Sequence, residues 1–515
     1  MIQKFLSKYG LASHLAVLAA LPLALTPFLT AAALGSVVFW LIALAAVWLF
    51  AEPSVRLGEH LSDARVRVRH EMVRDPLFWL MALVFVFTLV RFCNTGIDLF
   101  YDAERSAWIV QKPKWSLLPG AVEGAGLLPF AFASAALTVV MGLRHGIGRK
   151  ARTEFGIVGS LLAGLAGIAL VGCAVAGVGN VSAWMVSGME EEPFWASSFG
   201  VWLVLGVVCG AIAEVSKWGA ARLPLAISVA GNVVALFFFA QPIVAVAWIF
   251  LATVVAAYSL LYLSRIVSMG AVARVFTLLI IGVALPIFAV MTFMSMDVRE
   301  LKSRRLTPAF ALESSESDAA AERVRLATKS AIDGRKKADK LREEFREKGA
   351  LRKIALNRIA RRMWSEHPWS GVGVGAFALH APFLAEKEEW HVLPPKPQFS
   401  PNGFWTHLAE RGVLGCSLLL LVLGGLLYTW GARLVAAFFF LRGRDDADIF
   451  PFAVPPLAWV GPVCVALFVA EATYAPVFLN ASFILIVTVP LALSAATFPK
   501  PKKTGRVVAS TAQET

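Results

Sequence analysis

A run of basic residues at helical spacing is the first set of side chains in this sequence that could do chemistry. The run comprises Arg352, Lys353, Arg358, Arg361 and Arg362. Residues three or four positions apart share a helix face, so Arg358 lies beside Arg361 or Arg362. A guanidinium binds phosphate oxygens in pairs and keeps its charge, which favours a clamp for a pyrophosphate group at a membrane surface. A solvated helix face is the alternative of equal weight.

Histidines form the second candidate set. Four of the eight lie in one region of the chain, namely His367, His380, His391 and His407. Histidine is the side chain that most often serves as a general base near neutral pH. Their spacing does not resemble a set of metal ligands, so we expect neither a metal site nor a cofactor. Taken singly, each histidine is more typical of an ordinary surface or interface position.

Three glycines and one carboxylate lie within the same region. Gly371, Gly373 and Gly375 follow a predicted helix rather than a strand, so they indicate a tight turn and not a dinucleotide site. Glu410 stands where the chain enters an apolar run, and an ionisable group at the mouth of a membrane span usually has a partner. An interfacial carboxylate opposite Arg411 is the alternative of equal weight.

The composition places these residues in a membrane protein. Of 515 residues, 58% are hydrophobic and only 16% are charged, whereas soluble domains carry about 25% charged residues. The apolar residues fall into about twelve runs of a length that spans a bilayer. The predicted spans lie near 11–29, 32–50, 76–93, 119–143, 154–179, 197–215, 224–240, 242–262, 275–295, 412–430, 453–471 and 475–496. The sequence has no G-x-x-x-x-G-K-[ST] motif, which excludes an ATP-driven machine.

The distribution of Lys and Arg predicts how the chain crosses the membrane. Basic residues cluster in alternate connections, as they do in cytoplasmic loops. With twelve spans, both termini and the connections at 51–75 and 144–152 are then cytoplasmic. The chain divides into spans 1–9 over 1–296, an outer loop over 297–411, spans 10–12 over 412–496 and a basic tail over 497–515. We therefore expect an all-α polytopic membrane protein whose large outer loop is mainly helical, with helices over 313–363.

Two blocks of this sequence resemble a known family. The first block is RRMWSEHPWSGVGVGAFAL at 361–379, and the second is PNGFWTHLAERGVLG at 401–415. They resemble the O-antigen ligase and Wzy-type O-antigen polymerase superfamily, whose members are lipid-linked glycan transferases with a GT-C-like, multi-span fold and a large periplasmic loop. The matching positions are Pro368, Gly371, Gly373 and Phe377 in the first block, and Asn402, Glu410, Gly412 and Gly415 in the second.

The sequence departs from the family pattern in two places. Pro401 stands where the family has the histidine thought to activate the acceptor hydroxyl. Gln241 and Pro242 stand where the family tends to carry an arginine at the outer end of a middle span. His407 lies on roughly the opposite helix face from position 401, and His391 would have to fold back to replace the missing base.

The resemblance implies a metal-independent glycosyltransferase that acts at the periplasmic face of the bacterial inner membrane. Its expected partners are an undecaprenyl-pyrophosphate-linked glycan donor, a glycan or lipid acceptor and the lipid bilayer, with no nucleic acid. Arg352, Arg358 and Arg361 are expected to bind the pyrophosphate and Asn402 to bind substrate, while His391, His407 and Glu410 are the candidate catalytic groups. A polysaccharide transporter or flippase, or a catalytically silent scaffold of an assembly complex, stays an alternative. The sequence does not separate a ligase from a polymerase.

Overall fold

A computed structural model of the chain defines the fold. It describes residues 31–51, 53–56, 58–97, 99–102, 107–110, 120–122, 125–176, 193–215, 222–240, 242–266, 351–386, 399–442, 454–473 and 483–498. Helices account for most of these residues.

The helices are numbered here in chain order. The first group is α1 (Ala31–Ala46), α2 (Leu61–Val73), α3 (Pro76–Cys93), α4 (Leu127–Met141), α5 (Arg149–Ala176), α6 (Pro193–Val215), α7 (Arg222–Phe239) and α8 (Pro242–Ile266). The second group is α9 (351–366), α10 (Phe377–Leu384), α11 (Gly403–Arg442), α12 (Leu457–Ala472) and α13 (Phe483–Thr497). Short π-helical turns extend α1 through Val47–Ala51 and α4 through Gly142–Gly146.

Many of these helices have the length and polarity of membrane spans. Among the described residues, seven helices are long and apolar enough to cross a membrane: α3, α4, α5, α6, α7, α8 and α11. Each predicted span within the described residues overlaps a helix. The predicted spans at 11–29 and 275–295 lie outside the described residues, so the total of about twelve stays a prediction.

The spans share an apolar core in which some helices touch through their backbones. A Cβ added to Gly231 of α7 would lie 2.2 Å from the carbonyl oxygen of Gly164 in α5, so only glycine allows this approach. Beside this contact, Asn232 Nδ2 donates to the carbonyl of Ser160, 3.2 Å away. Small residues and buried polar groups are the usual means of joining helices where lipid provides no hydrophobic drive.

Four short strands lie between α3 and α4. They are β1 (Thr95–Ile97), β2 (Leu99–Asp102), β3 (Ala107–Val110) and β4 (Ala121–Val122). β1 pairs with β4 in parallel, and β2 pairs with β3 in antiparallel orientation. The expectation of an all-α chain thus holds for the spans but omits these strands, because their residues lack the length and alternation that would have identified them.

α11 is interrupted by one residue near its start. Gly412 has φ 64° and ψ −171° within a helix of 40 residues. This break separates a short helical segment, 403–411, from a long apolar helix, 413–442. The predicted span begins at 412, so the structure adds a preceding helical segment that the hydropathy pattern did not indicate.

Charged residues mark the two ends of the bundle. At one end Asp75 precedes α3 and binds Arg144, with Arg144 Nη2 2.7 Å from Asp75 Oδ2. At the other end of α3, Arg91 contacts the start of α11. The 18 residues of α3 separate these ends by about 27 Å. Ser54 and Gly146 are joined by a backbone hydrogen bond, so the connections at 51–75 and 144–152 lie at the same end, as their predicted common side requires.

Only the last part of the predicted outer loop lies within the described residues. α9 buries Ile359 and Met363 against Phe377 of α10 and Ala409 of α11. Residues 351–366 are helical and pack on the segment 403–411 of α11. The described end of the predicted helical stretch over 313–363 therefore agrees with the expectation. The stretch 297–350 lies outside the described residues.

Candidate functional site

The two sequence blocks fold against each other at the end of the bundle opposite Asp75. The chain at 368–375 runs beside the break in α11, and backbone hydrogen bonds join them. The bonds are Val372 N to Ala409 O at 2.8 Å, Gly373 N to Glu410 O at 3.0 Å, Val413 N to Pro368 O at 2.8 Å and Leu414 N to Trp369 O at 3.1 Å. We call this paired structure the junction. It uses the backbone groups that the interrupted helix leaves without helical partners.

Glycines make the junction possible. Gly371 has φ 68° and Gly412 has φ 64°, in the left-handed region that other residues rarely adopt. A Cβ on Gly371 would lie 2.4 Å from the carbonyl carbon of Glu410, and one on Gly412 would lie 2.3 Å from the carbonyl oxygen of Trp369. Both backbone conformation and space therefore require glycine at these two positions.

Glu410 is buried inside the junction. Its carboxylate accepts a hydrogen bond from the amide of Gly375, 3.1 Å from Oε1, and another from the amide of Phe377. Phe377 begins α10, so the carboxylate caps a helix N-terminus, where the aligned peptide dipoles favour negative charge. Glu410 thus holds α10 and the glycine turn to α11.

Arg91 closes the junction from the side of α3. Its side chain is buried, with 2% of its surface exposed, and donates to the carbonyls of Glu410 at 3.0 Å and Arg411 at 3.3 Å. It also donates to the carbonyl of Ser370, and its guanidinium lies 4.6 Å from the ring centre of Phe87. A single guanidinium therefore links both sequence blocks to a membrane span. An arginine that only extends to the interface would be exposed.

The second block begins with a capped helix. Asn402 Oδ1 accepts from the amide of Trp405 at 3.1 Å, and its Nδ2 donates to the carbonyl of Thr473 after α12 at 3.1 Å. Ser400 bonds the side chain of Asn357 in α9. Asn402 therefore starts α11 and ties it to α12. Pro401, which replaces the histidine of the family pattern, is half-buried between these two contacts.

The three candidate pyrophosphate-binding arginines lie on α9. Arg361 is exposed, and its guanidinium stacks 4.5 Å from the ring centre of Trp405, one turn from Asn402. Arg358 is exposed and Arg352 is half-buried. The structure brings Arg361 and Asn402 together through Trp405, whereas the Glu410 carboxylate points into the junction. The neighbouring Arg362 binds the carbonyl of Leu384, 2.8 Å away, and so serves the packing of α10.

The histidines have unequal surroundings. His407 is buried, 4% exposed, and meets the ring of Phe483 edge to face at 6.1 Å between centres. Burial, and to a smaller extent the neighbouring His367, lowers the pKa of His380 to about 4, so His380 is a weak base at neutral pH. His391 lies outside the described residues. Within the described ranges, no three His, Cys, Asp or Glu side chains are grouped as a metal site would need.

Sequence reasoning did not find every contributor to the junction. The motif glycines, Asn402 and Glu410 were singled out, but Arg91 lies outside the two blocks and was not among the candidate site residues. An arginine in the last turn of an apolar span is the signal that could have identified it. The partner strand segment at Gly120, whose carbonyl accepts from Val374 at 3.1 Å, carried no such signal.

No family model matches the chain, and no curated protein matches it.

Proposed function

We propose that this chain is a glycosyltransferase of the bacterial inner membrane, similar to O-antigen ligases and O-antigen polymerases. It transfers or polymerises glycan from an undecaprenyl-pyrophosphate donor onto a sugar hydroxyl at the periplasmic face. The proposal includes twelve spans with both termini in the cytoplasm.

The observation that carries this proposal is the junction itself. The two blocks that suggested the family are separated by more than twenty residues, yet they pair backbone to backbone. Most of the matched positions have a structural task there: glycines where a Cβ would collide, a cap at Asn402 and a buried anchor at Glu410. A chance match between scattered residues would not be expected to converge in this way.

The proposed reaction forms one bond and breaks another. The acceptor hydroxyl attacks the anomeric carbon of the donor sugar and forms a new glycosidic bond. The bond between that carbon and the phosphate oxygen breaks, and undecaprenyl pyrophosphate leaves with the bonding electrons. Arg361 and Arg358 are accessible cations that stabilise the charge developing on the pyrophosphate. The hydroxyl proton passes to a base.

The positions of the candidate bases favour separate roles. Glu410 has its carboxylate bound to backbone amides, and His407 is enclosed by the spans. Both geometries favour positioning over proton transfer, because a general base must reach the reacting hydroxyl within hydrogen-bond distance. His391 therefore stays the catalytic candidate that these contacts do not argue against.

A catalytically silent scaffold is the second candidate function. The observation that favours it is Pro401, which cannot accept a proton where the family pattern has histidine. A scaffold would keep the junction for stability and would show no transfer.

One experiment tests the proposal and separates it from both alternatives. The full chain is reconstituted in proteoliposomes with an undecaprenyl-pyrophosphate-linked glycan, and both glycan product and released undecaprenyl pyrophosphate are measured. A transferase releases undecaprenyl pyrophosphate in proportion to product. Movement of intact donor between leaflets without release of undecaprenyl pyrophosphate indicates a flippase. If an acceptor matched to the donor is present and neither release nor movement occurs, the chain is a scaffold.

A further inference from the structure

The surface of α2 is unlike that of the membrane spans. The sequence of this helix, LSDARVRVRHEMV, alternates basic and apolar residues. Its inner side buries Ala64, Val68 and Met72. Its outer side exposes Val66 by 67% and Val73 by 51%, with Arg69 and His70 between them. A helix with exposed valines and exposed arginines on one side suits the boundary between lipid and water.

The contacts of α2 place it across the end of the bundle. Arg65 near its start donates to the carbonyl of Ala51, at the end of α1, at 2.8 Å. Glu71 near its end lies 3.6 Å from His145, at the end of α4. α2 therefore bridges the ends of two spans and does not run alongside them. An interfacial helix has this arrangement.

Aromatic residues flank the outer side of α2. The guanidinium of Arg69 lies 5.8 Å from the ring centre of Phe50, which is 42% exposed. Trp79, in the first turns of α3, is 56% exposed and donates to the carbonyl of Val73 at 2.9 Å. Tryptophan at a span end typically marks the headgroup level of a membrane. The outer side of α2 is thus continuous with the lipid-facing sides of its neighbouring spans.

The acids of this region are already engaged by other bases. Glu59 binds Arg67 at 2.8 Å, and Asp75 binds Arg144 at 2.7 Å. Glu71 binds Arg56 at 2.9 Å. The remaining exposed acid on α2 is Asp63, about 9 Å along the helix from Arg69. The positive charges of Arg69 and Arg74 are therefore available to an external anion.

We propose that the outer side of α2, formed by Val66, Arg69, His70, Val73 and Arg74, binds the headgroups of acidic phospholipids in the adjacent leaflet. The valines and the flanking Phe50 and Trp79 enter the acyl boundary, and the arginines neutralise the phosphodiester. An acidic lipid fits both features at once, because it offers an anion directly above an apolar layer. The proposal does not depend on glycan transfer.

Native mass spectrometry of the purified full chain tests this inference. The protein is titrated with phosphatidylglycerol or with phosphatidylcholine, and retained lipid is counted. Phosphatidylglycerol should bind more tightly, and Arg69→Gln should weaken it about fivefold. Arg222→Gln removes an exposed arginine at the start of α7 that is already paired with Glu214, and it should leave binding unchanged. Asp63→Asn should strengthen binding, because it removes the exposed negative charge of α2.

The outcomes separate clearly. Equal retention of the two lipids would overturn the proposal, as would equal effects of Arg69→Gln and Arg222→Gln. If Arg69→Gln does not fold, Arg74→Gln takes its place, and Asp63→Asn gives an opposite change that misfolding would not produce. Added salt should reduce the preference for phosphatidylglycerol in the wild-type chain, because exposed charges are screened.

Discussion

At the scale of single residues, Arg91 and Glu410 show how a charged group can be stable where a span meets the membrane boundary. Arg91 donates to three carbonyls and Glu410 accepts from backbone amides. The charges of Arg91 and Arg411 add an electrostatic attraction to the Glu410 carboxylate. Removing either group would leave backbone polar groups buried without partners, which is the costly case. The two side chains therefore explain why the broken helix is stable at Gly412.

The glycine at the break gives the first prediction. Gly412→Ala should lower the free energy of unfolding by about 1–3 kcal/mol, because a Cβ meets the Trp369 carbonyl and φ is positive. Gly424→Ala is the matched control on the same helix, since a Cβ there meets nothing within 4 Å. The control should be neutral or stabilising, since alanine favours helix. Thermal unfolding in detergent measures both, and equal effects would contradict the packing described.

Arg91 gives the second prediction. Arg91→Lys keeps the charge but cannot reach three carbonyls with one ammonium group, so stability should fall by about 1–3 kcal/mol. Hydrogen exchange should increase at the amides of Val372 and Gly373, which the junction protects. Unchanged exchange at these amides would show that Arg91 does not hold the junction.

At the scale of elements, charged residues at the two ends of α3 connect this helix to its neighbours. α3 carries Arg91 at one end and follows Asp75 at the other, so this helix fixes the distance between the junction and the opposite face. Hydropathy predicted the helical spans that lie within the described residues, because apolar length is a local property. The break at Gly412 and the bonding of β4 to the chain at Val374 were missed because they depend on partners distant in sequence. Gly120 and Val374 illustrate this, since 254 positions of chain separate two bonded residues. The local pair β2 and β3 was missed because strands of four residues give too short a pattern.

Asp75 supplies the prediction at this scale. Burial alone would raise the pKa of Asp75, but the hydrogen bond to His145 and the charge of Arg144 lower it to about 2, below the ordinary value of about 3.9. The ionised Asp75 carboxylate therefore stabilises the fold fully above about pH 4, and this stabilisation is lost as the pH falls toward 2. Asp75→Asn should destabilise the wild-type fold by about 1–3 kcal/mol at pH 7, and this difference should shrink on acidification. A difference independent of pH would contradict the ion pair as its cause.

At the scale of the whole molecule, the prediction concerns orientation. In a cysteine-free background, Ser330→Cys should react with a membrane-impermeant reagent in intact spheroplasts, because the loop over 297–411 is expected outside. Asp63→Cys, which is exposed on α2, should react only after permeabilisation. Labelling at position 330 that requires permeabilisation would reverse the orientation and place the junction on the cytoplasmic side.

Sequence and structure agree most closely where residues act locally. The glycines at 371–375 were predicted to form a tight turn, and they have the positive φ angles of one. Glu410 binds this turn and Asn402 caps α11, while their roles in substrate binding or catalysis stay predictions. Spacing alone could not show whether Arg352, Arg358 and Arg361 face Glu410, because the direction of each side chain depends on how α9 docks. In the structure Arg361 meets Trp405, and Glu410 faces α10.

The most direct measurement of the central claim is the transfer rate of an Arg361 series in the proteoliposome assay. Arg361→Ala should abolish transfer or reduce it severely while the protein still folds, because the cation beside Trp405 and Asn402 is lost. Arg361→Lys should restore part of the rate, since charge returns without the bidentate geometry. Arg222→Ala, which removes an exposed arginine of α7 outside this basic run, should transfer at the wild-type rate. Wild-type transfer by Arg361→Ala, or equal losses in Arg361→Ala and Arg222→Ala, would contradict a donor site at Arg361.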